Sequence, residues 1–346
     1  MRIGTTLTFA LAACSADVAP TLDAGGSTDM EECSSRPAAE FMALREVPEP
    51  APPPRWGHVA GYDAKRSRML VFGGTNADGR RADVWELGET WKEIPTEAGP
   101  SGRFTSGSIM DPARDRWVVM TGDDGEARDD VWALALDTHR WNEMPKGPSA
   151  RFDVASASAG RRAWFFAGFA EGFIPLDDLW ELDLETDEWR ELPAEGTRPA
   201  KRTNCAIAEH LGFLYVLGGH DDEALTRDFW RYDLASLAWE AVGGPADLSA
   251  WAHFAYARGE GALLWMTGGD NDDYVDVASI WRVTLGSPLV IDEIPLGADQ
   301  AVVPARRHAT LVLGEELILY GGASGRRDVL GDTRRGGIEA GQASVG

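Results

Sequence analysis

An all-β chain of six look-alike units stacked around one axis is predicted from three observations. Glycine pairs, or a close equivalent, recur at Gly73-Gly74, Thr121-Gly122, Ala167-Gly168, Gly218-Gly219, Gly268-Gly269 and Gly321-Gly322, one every 46 to 53 residues. A short apolar run precedes each pair, and in five cases a Trp follows ten to twelve residues later. The chain holds 14 Trp against 12 Phe and 6 Tyr, and an excess of the largest side chain in phase with glycine marks repetition.

The elements follow in order within each repeat. The runs Met69-Leu70-Val71-Phe72, Trp117-Val118-Val119-Met120, Trp164-Phe165-Phe166, Leu214-Tyr215-Val216-Leu217, Leu264-Trp265-Met266 and Leu317-Ile318-Leu319-Tyr320 are rich in β-branched and aromatic residues and bounded by turn residues. They read as strands buried on both faces. The Trp that follows each glycine pair (Trp85, Trp132, Trp180, Trp230, Trp281) opens the next strand, and in four repeats an Asp stands two places before it: Asp83, Asp130, Asp178 and Asp228. A last strand carries a second Trp (Trp91, Trp141, Trp189, Trp239), with Ile291 in that place in repeat five. Arg55-Trp56, Arg103-Phe104, Arg151-Phe152 and Arg202-Thr203 open the first strands. A lone unit of this kind cannot bury its apolar faces, whereas stacked copies can, with indole rings supplying area between neighbours.

Double glycine, a spaced Trp pair and an Arg-x-x-His opening (Arg55 to His58), held in register over six copies, resemble the kelch repeat across roughly residues 41–334. The resemblance implies an all-β, six-bladed kelch-type β-propeller with four-stranded antiparallel blades. Four repeats end in a strand of the form Trp/Ile-x-Glu-x-Pro, as in Trp91 to Pro95, but the sixth lacks one. Leu44-Arg45-Glu46-Val47-Pro48, ahead of the first repeat, has the missing form and is expected to close blade six from the other end of the chain. The sixth repeat also lacks its Trp, and residues 335–346, rich in Gly, Ala and Arg, are expected to form a disordered tail.

Before the repeats, Met1-Arg2 leads an apolar run ending at Ala13 and then Cys14. One positive charge, a short apolar core and small residues before a Cys read as a lipoprotein-type signal over residues 1–13, with lipidation at Cys14. Residues 14–40 read as a flexible, solvated tether. The expectation is an exported, monomeric protein held in the cell envelope or outer membrane by a lipid anchor and touching the membrane through Cys14 alone. The alternative is an ordinary signal peptide cut nearby, with Cys14 incidental and the protein secreted. Cys33 lies in the tether and Cys205 in a strand, so a bridge between them is not expected.

With 33 Lys and Arg against 56 Asp and Glu, the net charge of −23 argues against a nucleic-acid partner, which calls for excess cations. The spacing puts His58, His253 and His308 at one repeat position, with Cys205 in it in repeat four. Those residue types suit a transition metal, but in-phase positions ordinarily pack blades, and no metal or cofactor is expected. The acidic runs Asp123-Asp124-Gly125-Glu126, Asp221-Asp222-Glu223 and Asp270-Asn271-Asp272-Asp273 share one face and read as solvated turns rather than calcium loops. On the same face Arg55, Arg103, Arg151, Arg202 and Arg306 or Arg307 admit two readings: a ring that binds a ligand at the channel rim, or ion pairs of each Arg with an Asp such as Asp83 or Asp130 that pin adjacent blades. Trp56, Phe104 and Phe152 beside them supply apolar or sugar-stacking surface. No catalytic residues stand out. The expected function is a protein- or glycan-binding scaffold acting through its loop face; the alternative is a carbohydrate-active enzyme using acids or histidines at the channel mouth.

Overall fold

The computed structural model describes residues 40–42, 45–47, 50–194, 196–221, 223–245, 252–271, 275–295, 306–313, 316–324 and 328–340, with side chains not described at 40–42, 45 and 338–340. The expected signal, Cys14, Cys33 and the tether up to residue 39 lie outside them.

Six antiparallel sheets form a six-bladed β-propeller. Blades 1 to 5 each hold four strands, and blade 1 is typical: Val59–Asp63, Arg68–Phe72, Val84–Leu87 and Trp91–Ile94 in spatial order. The first strands of successive blades lie against one another in a closed cycle, the sixth returning to the first. Second strands are buried on both faces, as Arg68–Phe72 shows along its whole length. The core is therefore a set of seams between blades. One seam joins Leu70 and Phe72 of blade 1 to Trp117, Val119 and Trp141 of blade 2. The Trp of each last strand fills such a seam: Trp141 packs edge-on against Phe72, Trp189 against Phe165 and Trp239 against Phe166.

The double-glycine signature has a steric cause. The second member of each pair has φ between 86° and 106°, and a Cβ at Gly269 or Gly219 would lie 2.5 or 2.6 Å from the carbonyl oxygen of Ala252 or Thr203. The first member sits at φ 58–72°, a left-handed conformation that Thr121 and Ala167 also adopt.

Blade 6 contains Ala309–Leu313, Glu316–Tyr320 and a long third strand, Thr333–Ala340. Two segments from the front of the chain pair with that third strand: Arg45 and Glu46 opposite Arg335 and Arg334, and Glu40–Met42 opposite Ile338–Ala340. The Val47 amide adds a 2.9 Å bond to the Thr333 carbonyl. Closure thus joins the two ends of the chain and reaches further than the sequence suggested. Residues 335–340, assigned from sequence to a disordered tail, are strand because 335–337 pair with Glu316–Ile318 and 338–340 with Glu40–Met42; 341–346 lie outside the described residues.

Candidate ligand-binding face

Each blade's first strand is entered through three residues whose register fixes the site. Backbone bridges place Trp56, Phe104, Phe152, Thr203, Ala252 and Arg306 in equivalent positions, each opposite a residue just after a glycine pair. One residue earlier stand Arg55, Arg103, Arg151 and Arg202. One residue later come Gly57, Thr105, Asp153, Asn204, His253 and Arg307, all with φ between 52° and 66°.

The four leading arginines are wholly withdrawn from solvent, at 0–1% exposure. Arg55 Nη1 and Nη2 each donate to a carboxylate oxygen of Asp83 at 2.7 Å, and Nη1 also donates to the Gly73 carbonyl at 3.0 Å. The Trp85 indole donates to the same carboxylate at 2.7 Å. Blades 2, 3 and 4 repeat the clamp as Arg103–Asp130–Trp132, Arg151–Asp178–Trp180 and Arg202–Asp228–Trp230. Burial pushes each of these carboxyls up, but hydrogen bonds and charge from the arginine, helped by the indole, outweigh it and leave all four below the usual carboxylate range. The clamp arginine's carbonyl meanwhile accepts the second glycine amide of the preceding blade, as Arg103 does from Gly74 at 2.8 Å. Side chain and backbone together join two blades. Of the two sequence readings, the ion-pair reading describes Arg55, Arg103, Arg151 and Arg202; none of them presents a guanidinium at the rim, because each fork is filled within its own blade.

Arg306 does not belong to that set. It occupies the position of Trp56, and the clamp position of repeat six falls on residue 305, outside the described residues. Arg306 pairs with Asp276 at 2.9 Å and with Asp270 at 3.4 Å. His253 likewise stands one residue before the position shared by His58 and His308, which Phe254 fills in blade 5. The single-residue slip arises because blades 5 and 6 lack the arginine that sets the phase. Its Nδ1 lies 2.9 Å from Asp270, a fully buried carboxylate and so not the solvated turn residue the sequence suggested.

These entries surround a mouth of about 580 Å3. Its wall over blades 1 to 3 is aromatic. Trp56 and Phe104 pack edge-to-face at 4.9 Å, and Phe152, Phe169 and Phe173 form a second group with centroids 5.4–5.7 Å apart. The structure therefore brings the three aromatics singled out from sequence together. Phe169 and Phe173 were missed; they stand on a hairpin, Phe169–Ala170 with Ile174–Pro175, inserted after the third glycine pair. Two Phe and an Ile within six residues of a turn, Phe169, Phe173 and Ile174, were the available signal. Phe173 and Ile174 are exposed by 70% and 56% at its tip.

Below the mouth Arg307 reaches from blade 6 to Asp153 of blade 3, its Nη1 and Nη2 lying 3.2 and 3.1 Å from the two carboxylate oxygens, with the guanidinium 5.5 Å from the centre of the Trp56 ring. This crossbar separates the mouth from an axial chamber of about 230 Å3. Tyr256 of blade 5 crosses the chamber, its hydroxyl donating to the Ser156 carbonyl at 3.1 Å and accepting the Ser156 amide at 3.0 Å. His58 is buried against Tyr320 and held neutral, its pKa pushed down to about 3 by burial and the nearby Arg55 charge. Burial pushes the Cys205 thiol up to about 12. Among the described residues, no group of three or more His, Cys, Asp or Glu stands together in a way that would hold a metal ion.

A family model described as the KLHDC2/KLHL20/DRC7 Kelch-repeats domain matches residues 40–208 and 144–322. The chain is a kelch-repeat protein. The two overlapping matches cover the propeller from its closing strand to the sixth glycine pair, and the fold is that of the family throughout. No curated protein matches the chain. As a kelch propeller, the protein couples a repeated, self-paired frame to loops that differ from blade to blade, and the mouth is built from those differences.

Proposed function

We propose that this kelch protein is a binding scaffold that takes a segment of a partner protein at its aromatic mouth. The observation that carries the reading is the pair of exposed apolar side chains, Phe173 and Ile174, projecting beside a concave wall of four further aromatic residues. Exposed apolar groups around a cavity mark docking surfaces. The rings meet one another edge-on or tilted, forming a basket suited to an apolar side chain more than parallel platforms suited to sugar. Within the sequence-based proposal of a protein- or glycan-binding role, this favours protein. Export and anchoring at Cys14 rest on the N-terminal sequence and would hold the scaffold at a membrane surface.

The second reading, a carbohydrate-active enzyme, is favoured by one contact, His253 with Asp270 at 2.9 Å beside the mouth. Against it, the carboxylates there already engage arginine: Asp153 with Arg307, and Asp270 with Arg306. Pull-down from extracts of a producing organism with the wild-type propeller and a Phe173→Ser variant tests the binding reading. A protein retained by wild type and lost by the variant supports it, and equal retention overturns it. Turnover of any glycoside in a broad panel, abolished by His253→Ala, would favour the enzyme instead.

A further inference from the structure

We infer that the segment bound at the mouth is basic: an apolar or aromatic anchor flanked by Lys or Arg. The inference rests on the protein-binding reading above and specifies the partner. The apolar basket sets the anchor, and the charge around it sets the flanks. Around the mouth five arginines are paired internally. Arg80 pairs with Asp123, Arg81 with Asp78, Arg128 with Asp124, Arg306 with Asp270 and Asp276, and Arg307 with Asp153. The loops that follow the glycine pairs still hold more carboxylates than these pairs use, among them Glu126 on blade 2, Glu171 on the Phe173 hairpin and Glu223 on blade 4. A chain of net charge −23 adds a long-range field of the same sign. An acidic flank would be repelled, a neutral one would leave this field unused, and a basic one is drawn in.

The rings themselves already accept guanidinium groups. Arg80 lies 5.4 Å from the centre of the Phe104 ring and Arg307 5.5 Å from that of Trp56. Phe173, exposed at the hairpin tip, offers an incoming cation a similar surface with apolar contact beside it.

Fluorescence polarisation with four blocked peptides tests this. They carry a central Phe between paired Lys, paired Ser or paired Glu, and a central Ala between paired Lys. The Lys-flanked Phe peptide is expected to bind at least about tenfold tighter than the Ser-flanked one. The advantage should shrink as salt rises from about 0.05 to about 0.5 M. Replacing both Glu126 and Glu223 by Lys should weaken the Lys-flanked peptide and leave the Ser-flanked one unchanged; Phe173→Ser should weaken both. Equal binding of Lys- and Ser-flanked Phe peptides, or tighter binding of the Glu-flanked one, overturns the basic partner while leaving the protein-binding reading intact. Equal binding of the Phe and Ala peptides shows charge attraction alone and overturns the anchored mode. Failure of all four overturns both.

Discussion

Arg307 and Asp153 stand on opposite sides of the propeller ring, 154 residues apart in sequence, and meet fork to fork across its axis at 3.1 and 3.2 Å. Blade 6 is thereby tied directly to blade 3. The pair is largely withdrawn from water, and removing one member leaves the other's charge uncompensated. Asp153→Asn is expected to cost about 1–3 kcal/mol in denaturant unfolding, and adding Arg307→Gln should recover part of that loss. A simple sum of the two single effects would show that the crossbar carries no coupling.

The four Arg–Asp–Trp clamps predict the acid limit of the fold. Their carboxyls lie below the usual range when folded, so their contribution is complete above the unfolded carboxylate pKa and is lost as pH falls below about 4. Arg103→Met should cost about 3 kcal/mol by stranding Asp130. It should also flatten the acid limb of a stability–pH curve; an unchanged limb would remove the clamps as its source.

His58 acts in a different window. Held neutral with a pKa near 3, it takes up no proton in the fold where the unfolded chain would, so stability falls as pH drops from about 6.5 towards 3. Blade 3 carries Val154 at the equivalent position, which recommends His58→Val as the test. The variant should retain more of its stability between pH 6.5 and 4 than wild type does. Parallel curves would assign the loss to other groups.

Cys205 is buried in blade 4 with its thiol pKa raised to about 12. A disulfide reagent such as dithionitrobenzoate should therefore leave it unmodified in native protein and react promptly once denaturant is added. Rapid modification of the folded protein would show the seam between blades 3 and 4 opening locally.

The repeat was legible because its markers do one job in each blade that carries them. The second glycine lies against a neighbouring carbonyl, the last-strand Trp fills a seam, and in blades 1 to 4 the Arg and Asp form a pair. Blade 5 lacks both members, with Ser279 at the Asp place and Trp at position 251, and blade 6 keeps Asp332 at the Asp place with Ala at position 305. The mouth was only half legible. Trp56, Phe104 and Phe152 sit beside the arginine marker, so they could be read from it, although Arg55, Arg103, Arg151 and Arg202 are frame, and of the arginine positions singled out, Arg306 and Arg307 alone line the mouth. The crossbar was hidden because its row, from Gly57 through Thr105, Asp153, Asn204 and His253 to Arg307, shares a left-handed backbone and no side-chain type. Tyr256 was hidden for another reason: its partner Ser156 lies across the channel and 100 residues away.

Because Arg45 pairs with Arg335, the ring has no finished intermediate with a shorter chain. Until residues 333–340 have left the ribosome, blade 6 has no third strand, and the segment near residue 45 has nothing to sit beside. Assembly of the propeller is therefore set by a contact some 290 to 300 residues apart in sequence, and its slowest folding step should be the meeting of residues 40–47 with residues 333–340.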